Sequence, residues 1–460
     1  MLSELTLTLK QSLRRQMTLD VSPPLAAGPF NRTLFRKSIP ILAARFPGTK
    51  LGSVRKSVPM RSAVIDLPRI RSVIPDPADP SGDRLVLLNV SSEVDLPSET
   101  VEFLKTESNG LVPYTLELDY DYWTADDIIQ AILPEALRER SPVGFAITGH
   151  IAHVNLKDEY LPYKHQIGQI FLDKNPQIRT VVNKLDTIDN QFRFFKMELL
   201  AGDPEYVAEH HEADCRFTFD FTQVYWNSRL HTEHERLVQI FNPEDVVADV
   251  FAGVGPFAVP AAKKGCAVLA NDLNPQSAKY LAVNVENNRV ADVVRVSCED
   301  GRAFIQAAVN RVLAEPFPAY SGPRKSKTQE NKERRKQRAL GSQTTVDTNV
   351  LLPPRNKISH FVMNLPDSAI TFLDAFRGIL SHRDRQEIEK IYTTMPMIHC
   401  HCFTREIEPE LARADILQRV EEKIGHPVPD DFSLYLVRSV APNKEMYCIS
   451  FRLPARVAYE

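Results

Sequence analysis

Residues 249–275, DVFAGVGPFAVPAAKKGCAVLANDLNP, carry the residue types and spacing of a nucleotide-binding turn. An apolar strand over 245–250 runs into a tight turn with Gly253 and Gly255. A helix over 258–264 and a second strand ending at Asp272 follow. Glycines at a first strand-to-helix turn let the backbone approach a ligand closely, and a carboxylate about 20 residues on can accept hydrogen bonds from both ribose hydroxyls. Asp272 is that carboxylate, and Asp249 stands where the first strand enters the turn. GVGPFA also satisfies the loose dinucleotide pattern G-x-G-x-x-A, so on this motif alone a nicotinamide-dependent dehydrogenase competes.

Downstream residues separate the two readings. The strand-like HFVMNLP, residues 360–366, follows two further α/β steps. In an open α/β sheet the ligand lies beyond the carboxyl ends of the strands, so Asn364 would project its amide into the cofactor crevice. That amide offers a donor and an acceptor in one plane, suited to a planar nucleobase, and Pro366 fixes the turn that aims it. CEDGRAFI places Asp300 and Gly301 at the end of the third strand, where an acidic side chain can accept from an adenine amino group. Together these residues favour S-adenosylmethionine over NAD, and methyl transfer over hydride transfer. A proton-handling group is also needed. FDFTQVYWNSRLHTEHERLV, residues 219–238, begins as a strand, turns helical, and crowds Arg229, His231, Glu233, His234, Glu235 and Arg236 near the junction. Positions i and i+3 share a helix face, so Glu233 and Arg236 can act together while Glu235 points elsewhere. The plainer reading is a salt-bridged exposed helix.

The elements that position these residues belong to a chain of 460 residues, a length that accommodates roughly three ordinary domains. Hydrophobic content of 43% and charged content of 25% are those of a globular protein, and no apolar run approaches the roughly 18 residues of a membrane span. A net charge of −3 gives no global nucleic-acid signature, although a local basic patch suffices to hold a phosphate backbone. The six cysteines show no framework spacing, which points to reduced thiols. His399-Cys400-His401-Cys402 resembles a metal run but lies in a strand pattern, MPMIHCHCF, whose alternate side chains face opposite ways, so four ligands cannot converge.

Residues 1–28 are set apart as a tail. The opening MLSELTLTLKQSLRRQMTLD is basic, hydroxyl-rich and amphipathic, which fits either a mitochondrial presequence or a frayed terminus. Residues 29–140 read as an α/β domain in which RSAVIDLPRI, DRLVLLNV and TLELDY look like strands, with the turn-rich IPDPADPSGD between them. Residues 141–228 read as a β-rich module through SPVGFAITGHIAHVNL, QIGQIFLDKN, IRTVVNKL, MELLAG and CRFTFDF. Residues 229–460 form the doubly wound, Rossmann-like α/β domain. It is interrupted over 321–356 by a stretch with eight Lys or Arg between Arg324 and Arg338, too poor in apolar residues to pack and expected as a solvated insertion.

DFTQVYWNSRLHTEHERLV, FAGVGPFAVPAA, NDLNP, EDGR and VMNLP occur in the order and spacing of the eukaryotic and archaeal tRNA (guanine, N1)-methyltransferases that act on position 37. FRFFKMELLAG and GHIAHVNL also resemble that family's pattern, and the likeness extends over about residues 29–455. The resemblance implies that Glu233 removes the N1 proton of guanine, that Arg193 holds the O6 as negative charge builds there, and that Asn364 positions the base. It assigns S-adenosylmethionine to His234, Asp249, Asp272, Leu273, Asp300, Gly301 and Asn364, with Gly253 and Gly255 under the methionine end. It implies tRNA as partner, recognised in part by the first domain, and locations in the mitochondrial matrix, nucleus and cytoplasm. The sequence has no heptads or large apolar patch, in keeping with a monomer.

These roles are chemically coherent. Guanine N1 is a weak nucleophile while protonated, so a carboxylate base must act as the methyl group transfers, and an Arg at O6 stabilises the charge that develops. A base in the anticodon loop can be splayed out without melting a duplex. Three competitors stand beside this reading. A wybutosine-pathway aminocarboxypropyl transferase uses the same fold and cofactor, although NLPDSAI and EHERL favour methyl transfer. A C5-cytosine RNA methyltransferase needs a nucleophilic Cys that NLPDS lacks. A noncatalytic RNA-binding protein needs no combination of Glu233, Arg193 and Asn364.

Overall fold

The computed structural model describes residues 19, 30–54, 56–188, 195–322, 353–381 and 384–460. Arg193, most of the basic insertion and the opening 18 residues lie outside the described residues. Two compact units emerge. One comprises Met1–Ala146, Ala152–Asn183 and Leu199–Asp203, the other Ile147–Ile151, Lys184–Glu198 and Pro204–Glu460. No helix among the described residues is long and apolar enough to cross a membrane.

In the first unit, β1 (Lys37–Pro47), β2 (Val73–Asp76), β3 (Asp79–Leu87) and β4 (Leu111–Leu118) form an antiparallel sheet of order β2-β3-β1-β4. Period-two alternation covers both faces. Ile39, Ile41, Ala43, Leu85 and Leu87 enter one core, whereas Ala44, Phe46, Val86 and Leu88 enter another. The first of these cores continues through Ile128, Ile129 and Ile132 to Ala152, Val154, Ile167, Phe171 and Val181, so the boundary expected at 140/141 falls inside shared packing.

Local readings differ in three places. RSAVIDLPRI is not a strand: it opens on the last residue of the short helix Val58–Arg61, and within it Val64 makes only an isolated bridge to Leu88. IPDPADPSGD, expected as a loop, is the β2–β3 hairpin, closed where Asp76 Oδ1 accepts from the Ala78 N–H at 2.9 Å and Asp76 pairs with Arg45. QIGQIFLDK lies in the helix Lys164–Lys174, capped by Asn175, where Ile167, Ile170 and Phe171 are buried at helical spacing. A further sheet has the order β5 (Ala146–Thr148), β6 (Ile151–Val154), β7 (Thr180–Ile188), β8 (Phe195–Gly202).

The second unit contains the hairpin of β9 (Val207–Glu212) and β10 (Cys215–Asp220), turned at Ala213 and Asp214, both at positive φ. Its main sheet is built from β11 (Val246–Asp249), β12 (Ala267–Asn271), β13 (Val294–Ser297), β14 (His360–Met363), β15 (Met397–Thr404), β16 (Ser433–Ala441) and β17 (Lys444–Arg452). Their order is β13-β12-β11-β14-β15-β17-β16, parallel from β13 to β15, with β17 antiparallel to both β15 and β16. β11, β12 and β14 are buried along their whole length, as the continuous apolar runs of their sequence require. The chain winds outward from β11 through β12 to β13, then returns to β14 on the other side. The switch point where a ligand crevice opens therefore lies beyond the carboxyl ends of β11 and β14.

The expected insertion is shorter than 321–356. Phe317 and Arg355 pair backbone to backbone on its two sides, and the 9%-exposed Arg355 donates to the carbonyls of Pro318, Pro243 and Gly265. A guanidinium with several carbonyl partners is a structural clamp rather than part of a solvated charge run.

Candidate active site

Asp249 ends β11 and Asn364 follows β14, and the pairing of these two strands sets Asp249 opposite Val362. Both side chains arrive at the crevice unspent. Neither carboxylate oxygen of Asp249 nor Oδ1 of Asn364 has a hydrogen-bond partner among the described residues, although all three atoms are buried. Burial, followed by the charge of Asp272, pushes the Asp249 carboxyl up to about 8. Orphaned buried polar atoms carry a desolvation cost that a bound ligand offering donors removes.

The glycine turn lies beside them. Gly253, at φ +55°, has open space where a Cβ would stand. Gly255, at φ +100°, would place a Cβ 2.7 Å from Leu281 Cδ1 and 2.8 Å from Val259 Cγ2, so its role is close packing. Asp272 accepts from Gly253 N–H and Asn274 N–H, each at 2.8 Å, and is tied to the turn directly. Burial raises its pKa. Leu273 beside it is 45% exposed. Asp300 caps the helix Gly301–Ala314 through Oδ1, which accepts from Arg302 N–H and Ala303 N–H, while Gly301 lies against the Phe251 and Phe372 rings.

Glu233 and His234 sit in the first turns of the helix His231–Ile240 and are 3% and 4% exposed. The exposed-helix reading is thereby overturned for this pair. Arg236, one turn on, grips Glu233 bidentately, Nε to Oε2 at 2.6 Å and Nη2 to Oε1 at 2.8 Å. His401 Nε2 lies 2.7 Å from Oε1 of the same carboxylate. Burial would lift the Glu233 carboxyl, but the hydrogen bonds from Arg236 and His401 outweigh it and hold it at about 2. Burial likewise works against a charged His401, yet the adjoining Cys448 and Glu233 push it up to about 10. Phe257, at the end of the glycine turn, contacts the rings of His234 and His401, and so joins this cluster to the crevice. Glu233, His401 and Cys448 come within metal-ligand range of one another, but Arg236 already occupies both oxygens of Glu233. In the HCHC run, Cys400 and Cys402 pack into the apolar core while His399 and His401 face the other way, as strand alternation demands.

The structure brings Asp249, Gly253, Asp272, Asn364 and Glu233 to one end of the sheet, with Leu273 and Asp300 at its neighbouring strand ends. His234 has its Nδ1 committed to Glu212 Oε1 at 2.6 Å, so only its other nitrogen can serve a ligand. Arg193 lies outside the described residues.

Three buried asparagines escaped the sequence reading. Asn271 donates to the Val250 and Glu299 carbonyls and accepts from Ser297 Oγ and Glu299 N–H, fastening the ends of three strands. Asn274 caps the helix Pro275–Asn287 and reaches Gln223 O; Asn284 links Thr218 N–H to Val254 O. The N-x-x-N of NDLNP was the available signal for the first two.

A doubly wound sheet with a glycine turn, a buried acid pair and an amide at its switch point defines a Rossmann-like methyltransferase domain. Residues 208–319 match the TRM5/TYW2 methyltransferase domain, and residues 125–205 match the TYW2 N-terminal domain. The chain is 58% identical over 455 residues to the tRNA (guanine(37)-N(1))-methyltransferase of Coprinopsis cinerea, covering 97% of this chain and 98% of that protein. It is 43% identical over 436 residues to the enzyme of the same name from Schizosaccharomyces pombe, covering 93% and 94%. The fold is similar to the crystal structure of Trm5b from Pyrococcus abyssi, with a TM-score of 0.55 and 22% identity over 90% of this chain and 99% of that one. A complex of aTrm5 with tRNALeu gives the same TM-score at 17% identity, covering 90% of this chain and all of that one. The chain belongs to the tRNA (guanine(37)-N(1))-methyltransferase family.

Proposed function

We propose that this protein transfers a methyl group from S-adenosylmethionine to N1 of guanosine 37 of tRNA, beside the anticodon, and so supports reading-frame maintenance. Relatives of that name match it over nearly the whole chain. The observation that carries the reading is the conjunction of unspent acceptors at the switch point, Asp249 and Asn364, with an ionised buried carboxylate, Glu233, joined to them through Phe257 and His401. Bound there, S-adenosylmethionine supplies an electrophilic methyl group on a sulfonium. Asp249 suits its cationic methionine end, Asp272 its ribose hydroxyls, and Gly253 leaves room for close approach. Leu273, Asp300 and Gly301 are placed to border the adenine.

Glu233 would accept the N1 proton. Its Oε2 keeps a lone pair beyond the bond from Arg236, whereas Oε1 is taken up by Arg236 and His401. A carboxylate so heavily hydrogen-bonded is ionised at neutral pH but weakly basic, so proton removal must accompany methyl transfer rather than precede it. Asn364 would align the base, and Arg193 would stabilise charge on O6. Glu233→Gln tests the assignment: transfer is lost while S-adenosylmethionine binding by calorimetry persists. A variant that transfers normally contradicts it.

A second reading has one observation in its favour, the match of residues 125–205 to the TYW2 N-terminal domain. Mass analysis of modified tRNA separates an added methyl group from an aminocarboxypropyl group. In keeping with the family, we further propose a monomer acting in the mitochondrial matrix, nucleus and cytoplasm, which sedimentation and localisation of the tagged full chain would test.

A further inference from the structure

The inner face of the β9–β10 hairpin is apolar apart from two residues. Ala208, Phe217 and Phe219 are buried there, and strand alternation sets His210 and Glu212 on the same side, opposite Phe217 and Cys215 in turn. His211, one residue out of step, has a side chain 71% exposed. The Glu212 side chain is only 9% exposed, and its Oε1 lies 2.6 Å from Nδ1 of His234. Its Oε2 is buried without a hydrogen-bond partner among the described residues, with His210 Nε2 3.7 Å away. The His210 imidazole meets the ring of Trp226, which also packs on Phe217 and Phe219. His234 in turn lies edge-on to Phe257 at the end of the glycine turn, with ring centroids 4.8 Å apart.

We propose that Glu212 is a positioning residue for the cofactor, a proposal that rests on the function given above: by accepting from Nδ1–H of His234 it selects the imidazole tautomer whose bare Nε2 accepts from the α-ammonium of S-adenosylmethionine. A carboxylate only accepts, so the proton of that hydrogen bond belongs to Nδ1, and a neutral ring carries just one. Nε2 is left with a lone pair. The methionine end is assigned to the glycine turn, and Phe257 brings His234 to that turn. At that end of the cofactor the sulfonium and the carboxylate donate nothing, which leaves the ammonium as the donor. Its three N–H bonds can serve both Asp249 and His234. Without Glu212 the ring is free to take the other tautomer, whose Nε2–H would meet the ammonium donor to donor.

The surroundings suit a carboxylate with this task. Burial would lift the Glu212 carboxyl, but His210 and His234 beside it hold it down at about 2, so it stays an acceptor throughout the neutral range. Of these two neighbours, His234 has the short hydrogen bond. Taking a carboxylate out of water is costly, and an apolar side chain of similar size would fill the hairpin face without that cost. A buried charge whose close partner is a cofactor-facing histidine therefore points to use. Carboxylates that orient metal-binding histidines act in the same way, and removing them weakens binding by roughly 10–100-fold.

Two measurements on the full-length protein test this, and neither needs tRNA. In protein isotope-labelled at its histidine nitrogens, with the His234 signals identified by their loss in His234→Gln, magnetic resonance at mildly alkaline pH should find the proton on Nδ1 and none on Nε2. A proton on Nε2 overturns the proposal with Glu212 intact. By calorimetry, Glu212→Gln, whose amide can turn either a donor or an acceptor to Nδ1, should weaken S-adenosylmethionine binding by roughly 10-fold. It should leave 5′-methylthioadenosine, which lacks the amino-acid end, bound as in wild type. Adding Glu212→Gln to His234→Gln should cost nothing further, because both changes remove one interaction. Equal losses for the two compounds, or a further loss in the double variant, would show a merely structural role. Wild-type affinity for S-adenosylmethionine in a folded Glu212→Gln protein would refute the role outright. The two levels separate cleanly: a wild-type protein that binds neither compound removes the cofactor reading itself, whereas one that binds both, indifferent to Glu212, removes only this proposal.

Discussion

Glu233 meets its substrate already ionised, and two buried partners keep it so. The signs of its linkage to pH are fixed by the directions of the shifts. Glu233, held at about 2 against an ordinary 4.5, contributes stability that is present above pH 4.5 and lost as pH falls toward 2. His401, raised from 6.5 to about 10, contributes stability that is present below pH 6.5 and lost as pH rises through 10. Thermal melts of His401→Gln against wild type should therefore differ most between pH 4.5 and 6.5 and converge toward pH 10; a difference that grows with alkalinity would contradict the pairing. Asp249 runs opposite to Glu233. Its folded-state pKa is raised from 3.8 to about 8, so its contribution is lost as pH climbs through that range. Asp249→Asn should raise the Tm of the cofactor-free protein at pH 8 while weakening S-adenosylmethionine binding by at least tenfold, about 1.4 kcal/mol. An unchanged Kd would remove Asp249 from the cofactor set. Asp272 and Asn364 could be placed at the crevice from the sequence because each sits at a fixed offset from a turn or strand end, whereas the role expected of Glu233 came from the family resemblance. His401 and Cys448 were not, because only cross-strand register brings them to Glu233.

Glycine substitutions separate packing from ligand approach within one turn. Gly255→Ala combines a positive φ with a Cβ 2.7 Å from Leu281, and should lower stability by about 2–4 kcal/mol from backbone strain and overpacking together. Gly253→Ala meets open space, so it should cost only about 1–2 kcal/mol of backbone strain while impairing cofactor binding more than Gly255→Ala does in the fraction that folds. Denaturation midpoints and binding isotherms on the pair decide this, and equal effects on both would sink the distinction. The βαβ opening was readable because its apolar runs, glycines and acids all agree. The helix Lys164–Lys174 was misread although Ile167, Ile170 and Phe171 in QIGQIF stand at helical spacing, and their burial shows it. The β2–β3 hairpin was hidden by three prolines and a glycine that usually mark loops.

For the protein as a whole, the sequence divided the chain more finely than its packing does, because hydrophobic pattern reveals elements but not which of them share a core. The stretch around residues 321–356 illustrates the same limit: composition set its basic character, but contacts show that it closes on the Phe317–Arg355 pair. Arg355→Ala should lower Tm by several degrees, having removed bonds to Pro243, Gly265 and Pro318, whereas replacing 323–352 with a short Gly/Ser linker should leave Tm nearly unchanged; a large loss from the excision would show that the segment is structural. The central claim concerns one atom of one nucleotide. Purified full-length protein, S-adenosylmethionine and unmodified tRNA transcripts bearing G or A at position 37 test it most directly, with the modified nucleoside identified by mass and chromatography. The expected product is N1-methylguanosine from the G37 transcript and none from A37; equal methylation of both, or an aminocarboxypropyl adduct in place of the methyl group, would contradict the account.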